Sequence, residues 1–205
     1  MVNHQSLAKL RECYAMREQI GSSFAPALQS APAVGLLLEF GVASGASFSR
    51  ICQLAEPRKV YGFDWFHGLP EDWNPTNPRG KFTTGGVVPQ TWPNGEIIVG
   101  MVQDTLEEFL RTHDGPIAFA HMDLDLYSST SFVLKTIASR CVDGTILLFD
   151  EIVGNPQDEE KAFLEFIDDT GFDFEFVTRR NRDAIAFRLR RYKLDQHPAE
   201  HAGEG

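Results

Sequence analysis

Asp123 and Asp125 stand one residue apart in the stretch HMDLDLY, directly after the apolar run PIAFA. Two carboxylates that close repel each other, and desolvating either costs several kcal/mol unless a cation or hydrogen-bond donors compensate. The pattern therefore predicts a positive partner. A second acidic pair, Asp150-Glu151, ends the apolar run TILLF. Ligand groups gather at the carboxyl ends of parallel strands, so Asp123, Asp150 and Glu151 are expected to converge. Oxygen donors with no nearby histidine or cysteine at ligand spacing suit a hard cation, Mg²⁺ first, with Mn²⁺ or Ca²⁺ as alternatives. Such an ion lowers the pKa of a bound hydroxyl, and a neighbouring carboxylate then takes the proton. Asp125 also stands just before a predicted helix, where an aspartate commonly caps exposed amides, so a capping role is open for it.

A second group of residues surrounds LLLEFGVASGASFSRI, which reads as strand, glycine turn and helix. That arrangement lets main chain approach a ligand closely. The spacing Gly41-Val-Ala-Ser-Gly45 is neither the GxGxxG of dinucleotide sites nor the phosphate-binding GxxxxGK[ST]. Glu39 before the turn suits a ligand carrying an ammonium group. Asp64, closing the next strand, can accept hydrogen bonds from both hydroxyls of a ribose. His121 lies inside a strand and reads as a packed core residue. His67 opens a loop beside Asp64 and is a candidate substrate contact, while Trp65, Trp73 and Trp92 could stack on a ring or pin the loop.

The elements that must position these residues alternate between short apolar runs and segments of helical period, which predicts an α/β fold with a doubly wound, mostly parallel sheet. Strands are expected over 35–40, 59–63, 96–99, 117–122, 145–149, 172–177 and 183–188. The last two are too close for a helical crossover and predict an antiparallel hairpin at one sheet edge. Helices are expected over 6–20, 47–55, 105–111, 127–141 and 156–170. In the last, Ala162, Phe163, Phe166 and Ile167 form an apolar stripe, with Asp158, Glu159, Glu160 and Lys161 expected to face water. The segment 65–95 is rich in proline and glycine without a sustained period, as in a functional lid.

The chain has 205 residues and 42% hydrophobic content, which fits one α/β domain. Three parts are expected: an N-terminal helical cap over 1–34, the α/β domain over 35–192 and a frayed tail over 193–205. The net charge of −10 would repel a nucleic-acid backbone, so nucleic acid is not an expected partner. No run approaches the length of a membrane span, and the charged N-terminus is unlike a signal peptide, so a cytoplasmic location is expected. Cys13, Cys52 and Cys141 are scattered and read as small buried hydrophobes in a reducing compartment.

Glu-x-Gly followed by an acid closing the next strand resembles the class I S-adenosylmethionine methyltransferases, and the resemblance extends over roughly residues 35–190. Gly100-Met-Val-Gln103-Asp104 is similar to the GxxQD segment of catechol-type O-methyltransferases. The texture is closest to the metal-dependent sugar O-methyltransferases of the macrocin and aminocoumarin type. Their segments resemble Asp64-Trp65-Phe66-His67-Gly68-Leu69-Pro70-Glu71, the run from Asp123 to Thr130, and Asp150-Glu151. The resemblance implies a donor site of Glu39, Gly41, Ala43, Gly45, Ser47, Asp64, Trp65, Gln103 and Asp123, with Ser47 on the methionine carboxylate and Trp65 and Gln103 against adenine. It further implies Asp123, Asp150 and Glu151 on the metal, with Asp125 as base. Glu151 departs from the more usual Asp or Asn. The lysine that catechol-type enzymes carry three residues after the metal aspartate is here Leu126.

The implied function is metal-dependent O-methylation of a sugar-containing or other small hydroxylated metabolite, with a homo-oligomer as an analogy from the family. The DxD pattern also resembles haloacid-dehalogenase-type phosphatases and the nucleotide-sugar motif of glycosyltransferases. A non-catalytic S-adenosylmethionine-binding protein is a further alternative. Donor binding with and without Mg²⁺ separates these.

Overall fold

The computed structural model describes residues 4–16, 23–153, 158–180 and 184–191. Two helices come first, α1 (His4–Tyr14) and α2 (Phe24–Ser30). Then strands and helices alternate: β1 (Leu36–Phe40), α3 (Ala46–Ala55), β2 (Val60–Asp64), β3 (Gly95–Val99), α4 (Val102–Thr112), β4 (Ile117–Met122), α5 (Tyr127–Ile137), β5 (Cys141–Phe149) and α6 (Glu159–Thr170). The hairpin strands β6 (Asp173–Arg180) and β7 (Ala184–Arg190) close the described fold.

One seven-stranded sheet runs in the order β3-β2-β1-β4-β5-β7-β6. The strands β1 to β5 pair in parallel, while β7 is antiparallel to both β5 and β6. The expected hairpin is thus present, with β7 inserted beside β5 and β6 at the edge. Strand order reverses between β1 and β4, and that reversal opens a crevice at their carboxyl ends.

The alternation of side chains along β1 assigns the two cores. Leu36, Leu38 and Phe40 join the face covered by α1, α4, α5 and α6, whereas Leu37 points to the face covered by α2 and α3. Glu39 shares the face of Leu37 by the same alternation. In α6 the predicted stripe holds, since Ala162, Phe163, Phe166 and Ile167 are all buried. Glu159 is buried too, at 1% exposure, against the expectation that it faces water. Its position at the first turn packs it under the end of β5 rather than on the outer face.

Several boundaries differ from expectation. The helix expected over 127–141 ends at Ile137, followed by a tight turn and then β5 from Cys141 rather than residue 145. Thr145 explains this early start: its Oγ1 accepts from Val142 N at 2.9 Å and donates to Ile117 O at 2.7 Å, tying the segment to β4. The helix expected from residue 105 begins at Val102, which is buried. The short α2 was not expected; Pro26 in its first turn interrupts the pattern yet is tolerated there, where no intrahelical N–H bond is lost. Positions 17–20 and 156–157 of expected helices, position 183 of an expected strand, and the tail over 193–205 lie outside the described residues. No described helix is long and apolar enough to cross a membrane.

Candidate active site

The turn after β1 is forced into place by contact with β4. Gly41 has φ +92°, and a Cβ there would lie 1.9 Å from the Asp123 carbonyl oxygen. Only glycine fits a main chain pressed that closely. Asp123 N donates to Phe40 O at 2.9 Å, and Asp150 N donates to Met122 O at 3.0 Å. Glycine turn, Asp123 and Asp150 therefore follow one another across three neighbouring strand ends. Asp64 fastens the turn from the other side. Its Oδ2 accepts from the amides of Val42 (2.9 Å) and Ala43 (2.7 Å), and its Oδ1 accepts from Phe66 N at 2.6 Å. Oδ1 keeps a further acceptor site, whereas the Val42 and Ala43 amides take both lone pairs of Oδ2.

A cleft of about 260 Å³ lies above these strand ends. Gly41, Ala43, Asp64 and Trp65 line one part of it, and Gln103 lines it from the start of α4. Asp123, Asp125 and Glu151 line the opposite part. Trp65 is held by a 2.5 Å hydrogen bond from Nε1 to Gly68 O. Four residues expected at the site are not on the cleft wall. Gly45 stands at the N-cap of α3 under Pro89, Ser47 sits half-buried in the first turn of that helix, Glu39 is fully buried, and Asp150 is half-buried without lining the cleft.

Glu39 is fully buried and pairs with an equally buried partner: its Oε1 lies 2.9 Å from His121 Nδ1. The two residues are opposite each other in the β1–β4 register, and Phe24 packs edge-on against the imidazole. Burial alone would lower the His121 pKa, but the hydrogen bond to Glu39 and the charges of Glu39, Asp123 and Asp150 outweigh it and raise it. The core reading of His121 stands, with a specific partner that its sequence context did not reveal.

Asp125 occupies a strained position. It has φ +61°, and Leu126 N bonds back to Leu124 O at 2.6 Å, which makes Asp125 the centre of a three-residue turn. The N-cap residue of α5 is Leu126, without a side-chain cap. Asp125 thus faces the cleft instead of capping the helix. Burial pushes its carboxyl up to about 7, helped by the charges of Glu151, Asp150 and Asp158. Asp123 is likewise pushed up to about 7, first by burial; His121 opposes this, while Asp150 and Asp125 add to it. Glu159 stands well above the usual carboxylate range, again by burial first and then by Asp123, with Asp125 and Asp150 adding to it.

The acids therefore share one electrostatic neighbourhood, and their donor chemistry fits a hard divalent cation. As they stand, no group of three or more among the described residues forms a metal-ligand set. The expected convergence is therefore one of shared field rather than of ligand distance. Glu159 was hidden in sequence because it lies in an acidic run that reads as a solvated helix face, whereas the structure turns it inward against the Glu151 amide.

The segment between β2 and β3 is stitched over the cleft. Ser128 Oγ donates to Glu71 Oε1 at 2.5 Å, and Trp73 Nε1 donates to Asp158 Oδ2 at 2.7 Å. These bonds tie the loop to the starts of α5 and α6, and Leu69, Pro70 and Phe82 complete the cleft wall. His67 is exposed and packs 5.4 Å from the Trp65 ring without lining the cleft. Trp92 is 41% exposed and also stands away from it.

A doubly wound sheet with an inserted antiparallel strand, and a glycine turn and acids at its switch point, define the Rossmann-like fold of class I methyltransferases. The methyltransferase-domain family matches residues 38–152, more than half of the chain, and the chain belongs to that family as an S-adenosylmethionine-dependent methyltransferase. Solved structures share the fold. The calicheamicin methyltransferase CalS11 aligns at 24% identity over 91% of this chain and 80% of its own, with a TM-score of 0.62. Its unliganded form, described as a TDP-rhamnose 3′-O-methyltransferase, aligns at 22% identity over 91% and 81%, with a TM-score of 0.56. The O-methyltransferase NovP aligns at 19% identity over 90% and 79%, with a TM-score of 0.61. No curated protein matches the chain. The family match displaces the phosphatase and glycosyltransferase readings of the acid pair.

Proposed function

We propose that this chain transfers the methyl group of S-adenosylmethionine to a hydroxyl oxygen of a sugar-containing or other small hydroxylated metabolite, with a divalent cation at the acidic end of the cleft. The observation that carries this reading is that Asp123, Asp125 and Glu151 line the same cleft as the glycine turn, Asp64 and Trp65. The likeness in fold to a TDP-rhamnose 3′-O-methyltransferase supports the choice of acceptor class.

In this reading Asp64 takes the ribose hydroxyls, Trp65 and Gln103 border adenine, and Gly41, Ala43, Gly45 and Ser47 form the cradle for the methionine portion. Glu39 offers the ammonium group a counter-charge through Oε2, the oxygen that His121 does not hold and that has no partner among the described residues. Asp123, Asp150 and Glu151 would hold the cation, which when bound makes the acceptor hydroxyl more acidic. Asp125 takes the hydroxyl proton. The oxygen forms a bond to the methyl carbon as the carbon–sulfur bond breaks, leaving a methyl ether, S-adenosylhomocysteine and a protonated Asp125. Charge is lost on approach to this transition state, so alignment and exclusion of water are the main contributions of the cleft. Leu69, Pro70 and Phe82 supply the dry wall.

The test is release of S-adenosylhomocysteine across a panel of nucleotide sugars, glycosides and phenols in the presence of Mg²⁺. Turnover of at least one hydroxylated acceptor is expected. Donor binding with no turnover of any acceptor would favour a non-catalytic binding protein.

A further inference from the structure

Helix α6 begins on a carboxylate that its position does not explain. A glutamate in the first turn of a helix is normally turned to water, where the helix dipole favours it. Glu159 is instead 1% exposed, and burying a charged carboxylate is costly unless it is paired. One oxygen has a partner: Oε2 accepts from the main-chain amide of Glu151 at 3.2 Å. The other, Oε1, is buried with no partner among the described residues.

The charges that act most strongly on this group have its own sign, namely Asp123, Asp125 and Asp150. Among the described residues no ion pair brings a lysine or arginine to any of these four acids. His121 already spends its Nδ1 on Glu39. A buried oxygen without a donor, set among carboxylates of which only Asp123 has His121 acting against its charge, lacks a small positive partner. The Glu151 amide holds Glu159 in register with the Asp150-Glu151 turn, so the same side chain both shapes that turn and offers a free oxygen beside it.

We infer that Glu159 is a fourth carboxylate of the divalent-cation site, contributing Oε1 alongside Asp123, Asp150 and Glu151; this rests on the metal-dependent reading given above. A site with a fourth carboxylate binds a dication more tightly than one with three, because affinity follows ligand charge.

Titration of the full-length chain with Mn²⁺, followed by loss of the free-ion paramagnetic resonance signal, tests this without donor, acceptor or turnover. Wild type is expected to bind Mn²⁺. Glu159→Gln should weaken binding about tenfold or more, on the scale of losing a ligand or its supporting partner. Glu159→Asp, which keeps the charge, should lose less, and the remote Glu108→Gln should match wild type. In EDTA, Glu159→Gln should melt at or above wild type because it replaces a buried ionisable carboxyl set among like charges with a neutral amide. If wild type binds and Glu159→Gln binds equally well, the inference fails while the metal-dependent reading stands. A lower melting point with unchanged Mn²⁺ affinity would assign Glu159 to support of the Glu151 turn alone. If wild type binds no Mn²⁺, the metal-dependent reading itself fails and the inference with it.

Discussion

Glu39 Oε1 and His121 Nδ1 lie 2.9 Å apart between β1 and β4, and neither residue is more than 1% exposed. The pair is buried directly beneath the glycine turn and one residue from the strand ends that carry Asp123. Removing one member leaves the other without a partner in an apolar setting. His121→Phe is therefore expected to cost about 3 kcal/mol, the scale of a broken buried pair. Glu39→Gln, which keeps an acceptor of the same shape, should cost roughly 1 kcal/mol. Urea unfolding of the two variants checks this, and a His121→Phe loss no larger than that of Glu39→Gln would contradict it.

The close approach of Gly41 to Asp123 makes a second prediction. Gly41→Ala must move the Asp123 carbonyl or the turn, and it places alanine at a φ that favours glycine. A stability loss of roughly 1–3 kcal/mol is expected from the strain. Affinity for S-adenosylhomocysteine should fall with it, because the turn and Asp64 are hydrogen-bonded to each other. Calorimetry showing full affinity in Gly41→Ala would separate the turn from the donor site.

Thiol ionisation supplies a pH prediction. Burial pushes Cys52 up to about 11, with the charge of Glu39 adding to it, and burial pushes Cys141 up to about 12. An unfolded cysteine ionises near about 8.5. Below that pH both thiols are protonated in both states, and their contribution to stability is fully present. As pH rises toward the folded values, the unfolded chain gives up its protons first and stability falls. The melting point should therefore drop between pH 8.5 and pH 10, with a smaller drop in Cys52→Ala. An identical slope in that variant would contradict the assignment.

Asp125 carries a catalytic prediction. Asp125→Asn should keep donor affinity and fold but lose about a hundredfold or more in turnover, the range for removing a general base. Because Asp125 does not cap α5, the helix should melt as in wild type. An unchanged turnover number would remove Asp125 from proton transfer.

Much of the architecture was legible because periodicity reports burial directly. The runs ending at Phe40, Met122 and Phe149 are apolar on both faces apart from Glu39 and His121, as strands covered on both sides must largely be, and they were placed to within a few residues at their functional ends. The amino-terminal edge of β5 was not, since its pairing with β4 depends on the Thr145 side-chain bonds rather than on apolar content. The acids at strand ends were legible from type and position. Which of them would face the cleft was not: Glu39 is fully buried, Asp150 does not line the cleft, and Glu159 is turned inward against the Glu151 amide. Pairing of Glu39 with His121 depends on strand register across 82 residues, which no local pattern encodes.

The central claim is that acids from the ends of β4 and β5 hold a divalent cation beside the methyl donor. Its most direct measurement is an anomalous difference map from crystals grown with S-adenosylhomocysteine and Mn²⁺. A single strong peak is expected between the Asp123 and Asp150 carboxylates, with the donor lying along Gly41 and Asp64. Donor density at that site with no Mn²⁺ peak there, or a peak only at unrelated surface acids, would contradict it.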